Sequence, residues 1–337
     1  MGYQLTKTKA EQMFQKLSVT CDIFAPKLME GEGCFSDTDI IRYGKVHSLD
    51  EIVWDKKSDY SFKEALLAIN ETLFYFTEDT TTVPKGPKKD ILIFLRACDL
   101  HAVKRLDEIY LKNGFEDFYY ARVREKAKFI LMGCKETCKS GFCVSMGTNR
   151  AENYDAYLKV ESDTVLLDVK CECMEQMLRE AADGEEAVVC DVTPDYVTEN
   201  QEKVTLPKQL SNESFGKDIW KEYGDRCIGC GRCNFVCPTC TCFTMQDIFY
   251  KDNPKAGERR RVWASCQVDG YTDMAGGLSF RKTQGERMRF KVMHKIYDYE
   301  KRFGYPMCVG CGRCDDVCPE YISYSNCINR LAKEENE

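Results

Sequence analysis

Histidine is scarce in this chain: only His47, His101 and His294 occur among 337 residues, and none stands in a metal-binding pair such as H-E-x-x-H. Neither G-x-x-x-x-G-K-[ST] nor G-x-G-x-x-G is present, so no bound nucleotide or flavin held by a loop of either kind is expected. No apolar run approaches the roughly 18 residues that span a bilayer. The opening residues, Met1-Gly2-Tyr3-Gln4, lack the charged-then-apolar build of a secretion signal, so a cytoplasmic protein without a membrane partner is expected. Positive charge is not in excess either. With 48 Lys and Arg against 55 Asp and Glu, the net charge of -7 leaves no phosphate footprint, and no nucleic-acid partner is expected. Hydrophobic residues at 43% and charged residues at 31% are ordinary for a soluble globular protein, and the length suits two domains.

Cysteine is what the chain has in abundance, 21 in all. Without a secretion signal, disulfides are not the expected use, which leaves metal. Eight of the cysteines fall into two runs of one pattern, Cys227-x2-Cys230-x2-Cys233-x3-Cys237-Pro238 and Cys308-x2-Cys311-x2-Cys314-x3-Cys318-Pro319. Three thiolates at two-residue gaps let one tight loop grip a cubane, and the fourth, ahead of proline, ligates the other run's cluster. Two [4Fe–4S] clusters are therefore expected. Cluster A takes Cys227, Cys230, Cys233 and Cys318; cluster B takes Cys308, Cys311, Cys314 and Cys237. Zinc knuckles also use Cys-x2-Cys pairs, but they need two pairs of ligands rather than two complete runs ending in Cys-Pro.

The rest reads as an α/β domain over residues 1–205, followed by a mainly helical ferredoxin-type domain over residues 206–337. Asp90–Leu95 (DILIFL) is a buried strand, followed by Asp99 as a helix N-cap and a helix stopped at Gly114. Phe129–Met132 is a second strand, Asp155–Val169 a hairpin turning at Ser162-Asp163, and Cys173–Ala182 a helix. The polar stretch from Pro194 to Ser214 reads as the connection between domains. Seventy residues separate Cys237 from Cys308, and Glu286–Phe303 within that insert has helical spacing.

A third constellation follows the two strands: Cys98, then Cys134, Cys138 and Cys143. Strand ends of open α/β sheets hold ligands, so these four could carry a third [4Fe–4S] cluster; buried small hydrophobes are the other reading, and spacing leaves both open. A sirohaem-type signature fails on order, because the Cys-x5-Cys pairs lie downstream of Cys134. The remaining nine, Cys21, Cys34, Cys171, Cys173, Cys190, Cys240, Cys242, Cys266 and Cys327, are mostly structural in this reading, with Cys240, Cys242 and Cys266 placed near cluster B. His101 is either a tuning group near Cys98 or an ordinary helix-surface histidine. The basic residues between the runs (Arg259, Arg260, Arg261, Arg281, Lys282, Arg287, Arg289, Lys291, Lys295) suit a docking face, a source of positive potential, or simply a solvated helix.

Through FSDTDII (35–41), ETLFYF (71–76), RACDLHAVKRLD (96–107), FCVSMGTN (142–149), RCIGCGRC (226–233), CPTCTC (237–242), GERRRVWASC (257–266), DMAGG (273–277) and MCVGCGRCDDVCP (307–319), the chain resembles the A subunits of three-part anaerobic sulfite reductases. Sulfhydrogenase β subunits are wider relatives with the same cysteine loops. The resemblance implies a subunit without catalysis of its own, relaying electrons from a flavin, NADH-oxidising partner to a sirohaem partner that reduces sulfite to sulfide. It also favours the third cluster on Cys98, Cys134, Cys138 and Cys143. Relatives carry Cys-Phe-Cys where this chain reads Gly141-Phe142-Cys143, so Cys138 stands in for the missing ligand. The electron-transfer subunit of a hydrogenase complex is the alternative, and a standalone redox sensor a third.

Overall fold

A computed structural model of the chain describes residues 2–33, 37–182 and 188–336. Cys34, Phe35 and Ser36, and with them the start of the FSDTDII string, lie outside the described residues. Two compact units share the chain. The first takes Met1–Leu67, Gly86–Cys138 and Gly147–Asn200; the second takes Ala68–Lys85, Lys139–Met146 and Gln201–Glu337. Both are discontinuous, where the sequence suggested a single break after residue 205.

The first unit is built on an eight-stranded mixed sheet. Its centre is parallel: Cys21–Met29, Asp90–Leu95, Ala127–Met132 and Ala156–Val160 are successive neighbours. Residues 91–95 of DILIFL are all buried, as expected of a strand covered on both faces. One face packs on the helices Lys7–Thr20 and Glu172–Ala181, whose Met13, Phe14, Leu17 and Met174 join Leu92, Phe94, Ile130 and Leu167 in the core. The strand Thr164–Val169 alternates buried and half-buried positions and pairs antiparallel with Ala156–Val160, so the expected hairpin is present. The N-cap of the helix Ala97–Leu111 is Arg96, not Asp99, which lies within the first turn and is fully buried. Register pairs Leu95 with Leu131, so Arg96–Cys98 and Gly133–Cys134 leave the sheet side by side.

The second unit is not made of helices alone. Its core joins the helix Ile219–Arg226, the helical stretch from Gln284 to Phe303 and the C-terminal helix Tyr324–Asn336 through Trp220, Tyr223, Met288, Val292, Ile296, Ile328 and Leu331. Beside it lies a four-stranded antiparallel sheet, in which the hairpin Phe243–Phe249/Gly257–Trp263 pairs with Asn70–Phe76 from far earlier in the chain, and that strand pairs in turn with Thr81–Thr82. The arginine run sits on the second strand of that hairpin. Arg259 pairs with Asp247 at 2.6 Å, Arg261 with Glu71 at 2.8 Å, and Arg260 with Glu258. Each cation meets a carboxylate, Arg259 and Arg261 on neighbouring strands and Arg260 on its own, so they do not form the solvated helix face considered from sequence. No helix among the described residues is long and apolar enough to cross a membrane.

Candidate metal centre

Both cysteine runs fold into the same loop. Cys227 ends the helix Ile219–Arg226; the chain then turns twice through left-handed glycines, Gly229 at φ 69° and Gly231 at φ 75°. Gly231 caps a single helical turn, Arg232–Phe235, after which comes Cys237. In the second run Gly310 (φ 65°) and Gly312 (φ 72°) repeat these turns ahead of Arg313–Asp316. The string Cys-x-Gly-Cys-Gly is thus a backbone requirement, because side chains avoid positive φ. At Gly312 a Cβ would also meet the Ser140 carbonyl oxygen at 2.1 Å.

The two loops enclose two cavities. One is lined by Cys227, Cys230, Cys233, Cys314 and Cys318, the other by Cys237, Cys308, Cys311 and Cys314. Each set of four assigned above therefore faces one cavity, and Cys314, Lys291 and Tyr324 line both. The cavities differ in access: Cys230 and its neighbour Ile228 are exposed at the rim of the first. Burial pushes the Cys308 thiol of the second up to about 12, against the pull of Lys295.

Two lysines of the insert, Lys291 and Lys295, reach these sulfurs. Arg287, Lys291 and Lys295, spaced by four residues, lie buried along one face of the Gln284–Phe303 stretch. Lys295 donates to Cys237 Sγ at 3.4 Å and to Thr239 Oγ1 at 2.7 Å. It sits in a π-helical turn, His294–Asp298, whose released Lys295 carbonyl accepts the Met307 N–H at 2.7 Å. Burial lowers the Lys291 ammonium, but Cys233, Cys314 and Cys240 outweigh that and raise it overall. The burial of Arg287, Lys291 and Lys295 corrects the solvated-helix reading at these three positions.

The donor set fits [4Fe–4S] clusters on three observations. Tyr324 Oη is buried without a hydrogen-bond partner, on the wall common to both cavities, where a bound cluster would supply an acceptor. Buried ammonium groups match the negative charge that ligating thiolates bring. Among the described residues, no three of the eight sulfurs lie within 4.8 Å of one another. Four sulfurs on a zinc ion at about 2.3 Å would stand about 3.8 Å apart, so zinc is a poor fit.

Supporting contacts hold the loops. Asp315 accepts the backbone N–H of Tyr324 at 2.8 Å and of Ser325 at 3.3 Å, fixing the chain beyond Cys318-Pro319. Asn234, buried beside Cys233, donates to Cys266 Sγ at 3.0 Å. The Cys266 thiol in turn donates to Cys242, which together with Tyr271 holds Cys242 down to about 6. Cys240 is hydrogen-bonded to Cys237, so it does touch an expected ligand of the second cluster. Cys21 and Cys327 are buried among apolar side chains. None of the described cysteines is in a disulfide.

Of the third constellation, Cys98, Cys134 and Cys138 belong to the first unit and Cys143 to the second. Within the first unit, the buried Arg96 donates to Cys134 Sγ and to the Gly133 carbonyl, both at 3.4 Å, and to the carbonyls of Trp54 and Lys56 at 2.9 Å. Burial pushes the Cys134 thiol up and Arg96 opposes it, with Cys138 and Asp99 close enough to act on the same sulfur. His101 bonds the Arg150 carbonyl at 2.8 Å, which accounts for it as an anchored helix residue.

The family description "4Fe-4S dicluster domain" matches residues 226–322, which contain both cysteine runs. The chain is 30% identical over 307 residues to a sulfhydrogenase 2 subunit beta from Pyrococcus furiosus, covering 86% of this chain and 88% of that protein. No solved structure matches.

Proposed function

As a member of the sulfhydrogenase β-subunit family, the chain is an iron–sulfur electron-transfer subunit, and we propose that it holds one [4Fe–4S] cluster on Cys227, Cys230, Cys233 and Cys318 and a second on Cys308, Cys311, Cys314 and Cys237. The observation that carries this assignment is the segregation of these cysteines onto two cavities with a common wall. When bound, each cluster supplies a one-electron couple. The chain's own residues do the rest. The eight thiols ligate as thiolates, Lys291 and Lys295 offset that negative charge, and Tyr324 donates a hydroxyl hydrogen bond into the wall between the sites. Met288 and Ile322 exclude water from the first cavity, while Cys230 leaves one edge open for exchange with a partner.

The proposal extends, on the sequence resemblance, to a third [4Fe–4S] cluster with Cys98, Cys134, Cys138 and Cys143 as ligands; within the first unit, the Arg96 guanidinium on Cys134 supports it. Iron and sulfide counted after anaerobic reconstitution test it: about twelve irons per chain are expected, and about eight with Cys98→Ser. A wild-type count of about eight, or a count that Cys98→Ser leaves unchanged, overturns the third cluster.

For the complex served, the sulfite reductase motifs support a cytoplasmic relay from a flavin, NADH-oxidising subunit to a sirohaem subunit that reduces sulfite. The 30% identity to a sulfhydrogenase subunit favours a second reading, a hydrogenase complex. Anaerobic co-purification from the native cells, with sirohaem and nickel assayed in the captured complex, decides between them. Sirohaem with sulfite-dependent reoxidation of the subunit sustains the first; nickel without sirohaem overturns it.

A further inference from the structure

Asp155, Cys171 and Cys173 offer a carboxylate oxygen and two sulfurs that all lie within 4.8 Å of one another. Their meeting is fixed by the fold of the first unit. Asp155 immediately precedes the strand Ala156–Val160, and Cys171 follows its antiparallel partner Thr164–Val169. The pairing of Ala156 with Val169 brings both to the open end of the hairpin, where the N–H groups of Lys170 and Cys171 donate to the Asp155 carbonyl at 2.9 and 3.4 Å. The Asp155 carboxylate is oriented from behind by the Phe129 N–H, at 2.8 Å from Oδ2, as carboxylate ligands commonly are by an outer partner. Cys171 caps the helix Glu172–Ala181, and its sulfur accepts the Met174 N–H at 3.4 Å. Cys173 lies in the first turn, with its sulfur 3.1 Å from that of Cys171.

That spacing is too long for a disulfide, in which the sulfurs stand about 2.05 Å apart. It is also far more compact than the eight cysteines of the second unit, so the group suits a single ion rather than a cubane. Two sulfurs and one carboxylate form a donor set for zinc-class divalent ions; calcium and magnesium take oxygen ligands. Burial, the Cys173 thiol and the Asp155 carboxylate push the Cys171 thiol up to about 12, and ligation would exchange that proton for a cation. Cys173 is exposed, so solvent reaches the group.

We propose that Asp155, Cys171 and Cys173 form a mononuclear site for zinc or a zinc-like ion, with water in a fourth, solvent-facing position. Binding Zn2+ by the two thiols releases two protons and leaves no sulfur oxidised. The ion ties the N-terminus of the Glu172–Ala181 helix to the hairpin end, and this site is independent of the electron relay.

The test uses the full chain with its clusters loaded, washed with a mild chelator and equilibrated anaerobically at micromolar free zinc. Elemental analysis is expected to find about one zinc per chain, with zinc-edge X-ray absorption fitting two sulfurs at about 2.3 Å plus oxygen. Cys171→Ser keeps a good helix cap and should fold, yet should lose at least tenfold in zinc affinity at an unchanged iron count. Asp155→Asn, which retains an acceptor for the Phe129 N–H, should weaken binding without abolishing the fold. The proposal is overturned if the wild type binds no zinc beyond the Cys171→Ser, Cys173→Ser double variant. It is equally overturned if anaerobic alkylation and mass spectrometry show a Cys171–Cys173 disulfide in the zinc-treated protein.

Discussion

Replacing Lys295 by methionine removes a buried ammonium from beside Cys237 and leaves an unbranched side chain of similar length. The electron added to a neighbouring cluster carries negative charge that Lys295 attracts, so its loss should make reduction harder. The nearest approach is 3.4 Å, to Cys237 Sγ, but the added charge is shared among irons beyond that sulfur. A separation of about 6 Å and an effective dielectric of about 20 give about 3 kcal/mol. For a one-electron couple, at about 59 mV per 1.4 kcal/mol, that is a shift of about 120 mV to more negative potential. An anaerobic redox titration followed by electron paramagnetic resonance reads such a shift directly. Lys295 lines only the cavity of Cys237, Cys308 and Cys311, whereas Lys291 lines both. Lys295→Met should therefore move one couple and Lys291→Met both, with Lys295→Arg close to wild type. At full iron content, a Lys295→Met midpoint within about 20 mV of wild type, or a shift to higher potential, would refute the electrostatic role.

Acid should expose His294. Burial first, then Lys295 and Arg281, hold its pKa down to about 4, while the unfolded chain titrates near the ordinary 6.5. Between these values the unfolded state takes up a proton that the folded state refuses, so stability present above pH 6.5 is lost as pH falls towards 4. Relative to pH 7, about 2 kcal/mol should be gone by pH 5. Denaturant unfolding of wild type against His294→Phe checks this, and equal pH slopes in the two would contradict it. Gly312→Ala should cost the second run its iron, because the new Cβ meets Ser140 at 2.1 Å on a backbone at φ 72°. Gly276→Ala is the control, since Gly276 has φ 85° and no atom within 4 Å of the added Cβ. The control should lose only about 1 kcal/mol of stability and keep its iron; equal iron in both variants would show that the left-handed cap is dispensable.

How much of this was legible in the sequence follows from the range of each signal. The cysteine runs carry their geometry locally, through two-residue gaps and paired glycines, so they can be read without a fold. DILIFL and the hairpin of residues 155–169 were readable for the same reason. The sheet that joins Asn70–Phe76 to the 243–263 hairpin was not, because pairs such as Arg260 with Thr72 connect segments almost two hundred residues apart. Three successive arginines looked like a solvated face; on a strand they alternate, and each meets a carboxylate. Arg287, Lys291 and Lys295 did carry a signal in their four-residue steps, but charge alone argued for solvent. Only the sulfurs facing that helix explain why lysine is buried there. Cys171 and Cys173 were set aside as structural, although the hairpin reading already placed Asp155 and Cys171 at the same end.

The exchange of fourth cysteines gives the insert its physical role. Cys237 and Cys318 each lie beyond a single helical turn, and each lines the cavity of the opposite run. Neither cavity can therefore close within one run. Both require the chain to return across the seventy residues between Cys237 and Cys308. Those residues do more than span the gap. Their helical stretch packs Met288, Val292 and Ile296 into the core that also holds Tyr324 and Ile328, and the same stretch turns Lys291 and Lys295 toward the thiols. A helix placed without its lysines would leave the thiolates uncompensated, and lysines buried without thiolates would pay several kcal/mol of desolvation each. With clusters on these cysteines as proposed, the helix, its cations and the two sets of sulfurs would stabilise one another only together, and cluster assembly would be coupled to the folding of the second unit.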